Sequence, residues 1–377
     1  MSAFILDNYL AIVSLLFFVS CAVFSLLINK VLIRYTPNLG LQNSGNLSAI
    51  RWASTTKPSV GGITFYLVFL IAAASHSIFF DSSEKLLNLN QIGLLIVAAL
   101  SFLLGLADDT YNTKPILKLI TQATIALVLI ATGIHIQIFD HKLINYAITL
   151  IWVVGIMNSI NMLDNMDGIT SIVSVFILFN ALVVMFSFGS IDSMYLMVTI
   201  GVFASLIGFL RFNWHPSKIY MGDTGSQFLG VFLAIIGIKY FWNDVDSVVG
   251  VSVSKQILLV ALGFILPIVD TTVVVINRLA RGQSPFVGGK DHTTHSLAHL
   301  GLSDRQVAYT FIIISLISTS LIIIIRYSID VWAHYYTFIF AGYILSVMAA
   351  FFYTTKHKLH EQKVNTSVQK ELKTTEQ

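Results

Sequence analysis

The residues best able to do chemistry in this chain are aspartates that stand in pairs or near-pairs close to asparagine and glycine. Asp108 and Asp109 adjoin each other in LGLADDTYNTKPILK, Leu104 to Lys118. Two adjacent carboxylates repel, so such a pair binds a cation or keeps one member ready to exchange a proton. The plainer reading is a helix end, with Pro115 opening the next helix. In NSINMLDNMDGIT, Asn158, Asn161, Asp164 and Asp167 recur every three residues. They would share one face at a helix end, or simply form a polar turn in which Asp167 or Thr170 caps the next helix. In IYMGDTGSQFLG, Gly222 and Gly225 allow close backbone approach, and the helix that follows offers free N–H groups to a phosphate, with Asp223 beside them for a cation. A Ser or Asp N-cap explains part of that pattern. Five aspartates from three loops share a pocket only if a divalent cation or basic groups offset them, and an all-oxygen set selects Mg²⁺, Mn²⁺ or Ca²⁺.

The basic counterpart is the stretch Gly282 to Gln306. His292, His295 and His299 are spaced i, i+3, i+7, with Lys290, Arg278, Arg281 and Arg305 near them. No Cys or H-E-x-x-H accompanies them, so phosphate recognition fits better than zinc. An amphipathic interfacial segment with Leu297 and Leu300 toward lipid is the bland alternative. Asp270 follows Pro267 inside an apolar run. An intramembrane carboxylate serves a site or pairs with a neighbouring helix, and both readings stand. Val60-Gly61-Gly62 reads as a close helix contact or a bend. His76, His135 and His141 receive no role.

The elements that must position these residues follow from bulk composition. Of 377 residues, 56% are hydrophobic and 11% charged, and the mean hydropathy is +0.80. So few charges cannot cover a soluble protein of this size, and disorder is excluded outside the C-terminus. A net charge of +3 makes no case for nucleic acid, and the lone Cys21 excludes a disulfide framework or a cysteine zinc site. Long unbroken apolar runs indicate an all-α polytopic integral membrane protein. Eleven spans are expected, at 9–29, 60–80, 91–107, 117–138, 144–160, 168–188, 194–211, 227–242, 255–276, 307–326 and 333–354, or ten if a short one fails. The first reads as a retained anchor. Residues 1–354 form one membrane-embedded domain and 355–377 a polar tail. With the N-terminus outside and the C-terminus cytoplasmic, 17 of the 22 Lys and Arg residues fall on the cytoplasmic side. Asp108, Asp109, Asp164, Asp167, Asp223 and Asp291 fall there too.

Taken in order, the motifs GG, ADDTYNTKPILK, NSINMLDNMDGI, MGDTGS, PIVDTTVVVINRLARGQSPF and KDHTTHSLAHLGL resemble the polyprenyl-phosphate N-acetylhexosamine-1-phosphate transferases of glycosyltransferase family 4, over residues 10–350. The resemblance implies a Mg²⁺-dependent enzyme, with Mn²⁺ as the alternative metal. It would transfer N-acetylhexosamine-1-phosphate, GlcNAc-1-phosphate first among the options, from a UDP-sugar to undecaprenyl or another polyprenyl phosphate. UMP would leave, and a cell-surface polymer such as an O-antigen lipopolysaccharide or a cell-wall component would begin. By the same resemblance Asp108 and Asp109 are catalytic, and Asn161 and Asp223 are metal ligands. Asn158, Asp164, Asp167, Lys114, Arg278, His292 and His295 bind substrate, Asp167 toward the uridine nucleotide and the histidines toward sugar and diphosphate. The implied partners are UDP-N-acetylhexosamine, polyprenyl phosphate and the membrane, with no nucleic acid and with a homodimer among the options. The implied location is a bacterial inner membrane, with the site on its cytoplasmic face.

Departures from the family pattern carry information. The first motif reads Asp108-Asp109-Thr110-Tyr111-Asn112 rather than the DDxxK of lipid I synthases, and Thr293 and Thr294 separate histidines that are contiguous there. Both favour the N-acetylhexosamine branch over the muramoyl-pentapeptide branch, which stays the alternative. Asn165 stands where the family commonly has Gly, so the loop shape differs, and the altered histidine pattern leaves the sugar open. For the chemistry, a phosphate attacking a diphosphate sets two anions against each other, so a cation at Asp223 and Asn161 must neutralise the donor. Asp108 or Asp109 takes a proton from the lipid phosphate or attacks to form an aspartyl intermediate, and single displacement is preferred. The rivals from other classes are an ion-coupled transporter and a structural membrane protein. A transporter would place its acids near the midplane in repeated halves rather than at one face.

Overall fold

The computed structural model describes residues 2–36, 57–79, 87–187, 194–243, 253–284, 289, 291–329 and 331–375. Arg51, Lys85 and Lys290, counted above, lie outside them. The described chain is helical: α1 (Ser2–Tyr35), α2 (Gly62–Phe79), α3 (Leu89–Tyr111), α4 (Pro115–Ala131), α5 (Lys142–Leu163), α6 (Ile169–Ser187), α7 (Met194–Asn213), α8 (Gly222–Gly237), α9 (Val253–Gly263), α10 (Ile265–Ala280), α11 (Thr293–His299), α12 (Asp304–Tyr327) and α13 (His334–Thr375). A π-turn, Ile238–Trp242, prolongs α8.

Each of the eleven expected segments contains a helix among the described residues, though 117–138 is helical only to Ala131, and they are not equivalent. Among the described residues, eight helices are long and apolar enough to cross a membrane, and nine if α9 and α10, bent by 84°, form one span. Among the described residues the other two expected spans are represented by shorter apolar helices, Gly62–His76 and Pro115–Ala131. α4 begins at Pro115, after the Asp108 motif, and its last helical residue is Ala131. Pro267 sits in the first turn of α10, where a missing N–H costs no helical bond. The boundary expected at residue 355 is no break in the backbone, because α13 runs on to Thr375. Lys, Glu, Gln and Leu continue a helix readily beyond its apolar window.

The core is organised around α8, which is buried along almost its whole length and packed by α2, α3, α5 and α6. Phe228 and Phe232 of α8 interlock with Tyr66 and Phe69 of α2. On the rim, α1 packs on α7, α12 on α6 and α9, and α13 on α9, α10 and α11. The rim helices turn large apolar side chains outward, among them Leu15, Leu16, Ile313, Leu316, Phe338 and Ile339. Water would penalise such a surface and lipid would not. The molecule is a polytopic α-helical membrane protein.

Two glycines place the start of α8. Gly62 of the GG motif lies so close to Gly225 that a Cβ would collide with that backbone, and the N–H groups of Gly61 and Gly62 donate to Tyr220 O and Met221 O at 3.0 and 2.9 Å. Gly222 has φ +72°, and a side chain there would also strike Ser59 and Asp109. The glycines expected to admit a ligand admit neighbouring chain instead.

Candidate active site

Asp108 and Asp109 end α3 but serve different neighbours. Asp108 Oδ1 accepts from the Thr113 N–H at 3.0 Å and the Thr113 hydroxyl at 2.5 Å. Its Oδ2 accepts from Lys118 Nζ at 2.7 Å. Asp109 turns to the start of α8, where Oδ1 accepts from the Asp223 N–H at 2.9 Å and Oδ2 from the Thr224 N–H at 2.8 Å and hydroxyl at 2.6 Å. Asp109 thus caps α8 from another helix, with its charge at the positive end of the dipole. The N–H groups of Asp223 and Thr224, expected to await a phosphate, are spent on this carboxylate.

Lys118 occupies the centre of the site. Besides Asp108, its Nζ reaches Asn161 Oδ1 at 3.2 Å and Asp223 Oδ1 at 3.8 Å. Sequence reasoning chose Lys114 instead, but Lys114 is the exposed residue before α4 and bonds no site carboxylate. The helix period from Pro115 points to the lysine that faces the carboxylates, because Lys118 precedes the buried Gln122, Ile125, Ala126 and Leu129 on one face. Asn161 donates Nδ2 to Asp223 Oδ1 and, at 2.8 Å, to Ser226 Oγ. Asn158, one turn deeper, joins an amide cluster with Gln122 and Gln227, with Asn158 Nδ2 to Gln122 Oε1 at 2.8 Å and Gln122 Nε2 to Gln227 Oε1 at 3.1 Å.

The three-residue spacing from Asn158 does not hold to Asp167, because α5 stops at Leu163. Asp164 follows and stays with the carboxylates. It keeps a partial opening to solvent, yet burial first, then the nearby charges of Asp223 and Asp109, push its carboxyl up to about 8. Asp167 turns the other way. It accepts from the Ser217 N–H at 2.9 Å and hydroxyl at 2.7 Å, with His215 Nδ1 at 3.1 Å and Lys57 Nζ at 3.6 Å. Burial alone would raise it, but the Ser217 bonds together with Lys57 and His215 hold it below the usual carboxylate range.

The histidine helix is bolted to α10. Asp270, buried within α10, accepts from the Thr293 N–H at 2.8 Å and hydroxyl at 2.6 Å, and lies 3.0 Å from His292 Nδ1. An ionised carboxylate only accepts, so that nitrogen carries the proton. The structure therefore shows Asp270 paired within the fold and aligning His292. His295, also buried, has its ring 6.1 Å from that of His292. Arg278, expected to hold phosphate, is buried and makes a two-pronged pair with Asp291 at 2.9 and 2.7 Å, and Arg281 adds a third bond at 2.7 Å. Burial favours the neutral acid, but Arg278 outweighs it, with His292 and Arg281 adding to its pull, and Asp291 is held at about 2.

Asp108, Asp109, Asn161, Asp164, Asp223 and Lys118 thus form one centre. Asn158 lies beneath it, Asp167 and the histidine helix lie to its sides, and Lys114 is apart. The hydroxyls of Thr113, Thr224 and Thr293 lay within the motifs without being given a role, and that of Ser217 lay outside them. A hard divalent cation would take a carboxylate oxygen of Asp223 and, in exchange for the Lys118 ammonium that holds it here, the amide oxygen of Asn161, and such ions complete their shells with water and substrate phosphate. Among the described residues no group of three or more His, Cys, Asp or Glu stands ready to hold a metal.

A polar centre of carboxylates, amides and one lysine thus lies at the end of an apolar helical bundle. Residues 91–241, which carry that centre, match the family model for glycosyl transferase family 4. It is similar to the probable undecaprenyl-phosphate N-acetylglucosaminyl 1-phosphate transferase of Bacillus subtilis, 28% identical over 73% of this chain and 75% of the relative. It is also similar to the decaprenyl-phosphate N-acetylglucosaminephosphotransferase of Mycobacterium leprae, 27% identical over 67% of this chain and 69% of the relative. A phospho-N-acetylmuramoyl-pentapeptide-transferase of Staphylococcus saprophyticus is 32% identical, over 49% of this chain and 62% of the relative. Relatives thus come from both branches.

Proposed function

We propose that this protein transfers an N-acetylhexosamine-1-phosphate, GlcNAc-1-phosphate in the first instance, from its UDP-sugar to a polyprenyl phosphate in a bacterial inner membrane, with the site on the cytoplasmic face. The observation that carries this reading is the centre itself, where Asp108, Lys118, Asn161 and Asp223 converge at the end of an apolar bundle. A polyprenyl tail stays in lipid, so its phosphate meets protein only at such a boundary. The excess of Lys and Arg counted on the same side of the expected topology supports this orientation. The N-acetylglucosamine-1-phosphate transferases among the relatives cover more of the chain than the muramoyl-pentapeptide enzyme, which supports the smaller sugar.

Asp223 and Asn161 would hold Mg²⁺ or Mn²⁺, which supplies charge neutralisation to the diphosphate when bound. Lys118 gives positive charge to phosphate oxygens. Asp108, next to Lys118, accepts the proton of a monoprotonated lipid phosphate, and the freed oxygen attacks the sugar-bearing phosphorus while UMP departs. Asp109 positions α8 and takes no proton, since all three of its bonds are donated by α8. The muramoyl-pentapeptide transfer is the second reading, favoured by the 32% identity to that enzyme.

Purified protein given undecaprenyl phosphate, Mg²⁺ and a panel of UDP-N-acetylhexosamines tests the proposal. UMP release that requires lipid, metal and Asp223 supports it, and the best donor names the sugar. Folded protein that releases no UMP from any donor, UDP-muramoyl-pentapeptide included, contradicts it.

A further inference from the structure

Asn165 stands between Asp164 and Asp167, and Thr294 between His292 and His295. Their side chains meet: the Thr294 hydroxyl donates to Asn165 Oδ1 at 2.7 Å. The direction of the bond is fixed, because Asn165 Nδ2 donates to the Met162 carbonyl at 2.8 Å. Turning the amide over would set two oxygens against each other. Thr294 is fully buried, so loss of its acceptor would leave a hydroxyl with no water to replace it. The residues beside the bond are tied elsewhere. His292 and Thr293 are held by Asp270 of α10, and Asp167 by the loop before α8. The Asn165–Thr294 bond therefore spans from the carboxylate turn to the histidine helix.

We propose that Asn165 and Thr294 form a latch that sets the gap between the Asp164–Asp167 turn and the histidines of α11, and thereby selects the size of the sugar that fits there. The inference rests on the donor reading above. It joins two departures noted in the sequence, the Asn in place of Gly and the Thr among the histidines. A glycine at 165 would have no side chain to reach Thr294, so the two work as one device. Both are positioning residues and need not touch the donor.

The test compares Thr294→Val, Asn165→Ala, the double variant and Thr294→Ser. UMP release is measured with UDP-GlcNAc, UDP-GalNAc and the bulkier UDP-MurNAc. Hydrogen exchange of segments 164–168 and 292–299 is followed without substrate. Thr294→Val and Asn165→Ala should each raise KM for the best donor about five-fold, the size of one neutral hydrogen bond, and shrink its advantage over bulkier donors by a similar factor. kcat and the lipid KM should hold. The double variant should be no worse than either single one, and Thr294→Ser should behave as wild type. Exchange should quicken in both segments of Thr294→Val. Losses that multiply to about 25-fold in the double variant, if the two sites act independently, would overturn the latch, as would an unchanged donor ratio or quickened exchange confined to α11. If wild type releases no UMP with any donor, the donor reading fails on its own, and the exchange result still decides: coupled segments keep the latch and uncoupled segments remove it.

Discussion

Asp109 and Asp223 are joined by a hydrogen bond, yet their surroundings differ in kind. Asp109 accepts from one threonine's N–H and hydroxyl and from a third donor. Asp108 gives one oxygen to Thr113 and turns the other to Lys118 of the centre, whereas the arrangement of Asp109 recurs in full at Asp167 with Ser217 and His215 and at Asp270 with Thr293 and His292. Each pins a helix end or a turn. Asp223 has instead an amide donor and a lysine at 3.8 Å, and Asp164 is driven toward the neutral acid first by burial and then by neighbouring negative charge. A carboxylate whose oxygens are filled by fixed donors acts as a frame, whereas one short of donors and pressed by like charge is a site for a cation. The same residue type therefore builds both the scaffold and the reactive centre.

The largest expected effect follows from removing the less satisfied member. Asp223→Ala should lower UMP release by about 10³-fold or more, the loss of several kcal/mol of charge stabilisation. Lys118→Met should lower kcat by about 10²-fold, and Lys114→Met should cost at least an order of magnitude less, read by the same assay. Asp109→Ala should cost about 10²-fold in kcat through a displaced α8, and Thr224→Val should move in the same direction to a smaller extent. If Asp109→Ala instead changed only the pH optimum, Asp109 would be a base and the comparison would break.

Smaller effects should appear in the pH dependence of stability, with opposite signs for the two kinds. Asp291, held at about 2, binds fewer protons folded than unfolded. Its contribution is present above about pH 4, the unfolded value, and is lost as pH falls toward 2. Asp164, pushed up to about 8, keeps its proton longer in the folded state, so stability should decline as pH rises from about 4 to 8. Thermal melts in detergent check both. Asp291→Asn should flatten the acid limb, and Asp164→Asn should flatten the decline above it.

Much of this was legible in the sequence because motif residues advertise themselves. The aspartates, the asparagines and the glycines beside Asp223 marked the centre, and apolar runs marked every helix but the short α11. Long-range partnering was not legible. That Asp109 would reach α8 rather than a substrate depends on Gly62 seating against Gly225, a contact across more than a hundred residues. Arg278 looked like a phosphate ligand because its pairing with Asp291 forms only when the loop folds back. Thr113, Thr224 and Thr293 were invisible because a hydroxyl gains its role from the backbone N–H next to it, which one-dimensional spacing does not display. Lys118 was recoverable, since its helical face was already written in the residues after Pro115.

The contrast between filled and unfilled aspartates is tested most directly by Mn²⁺ binding to the purified, substrate-free protein, followed by electron paramagnetic resonance. The account predicts that Asp223→Asn and Asp164→Asn weaken binding by about ten-fold or more, the loss of one charge near a divalent ion, while Asp270→Asn binds as wild type does. Undiminished binding in Asp223→Asn, or equal loss in Asp270→Asn, would contradict it.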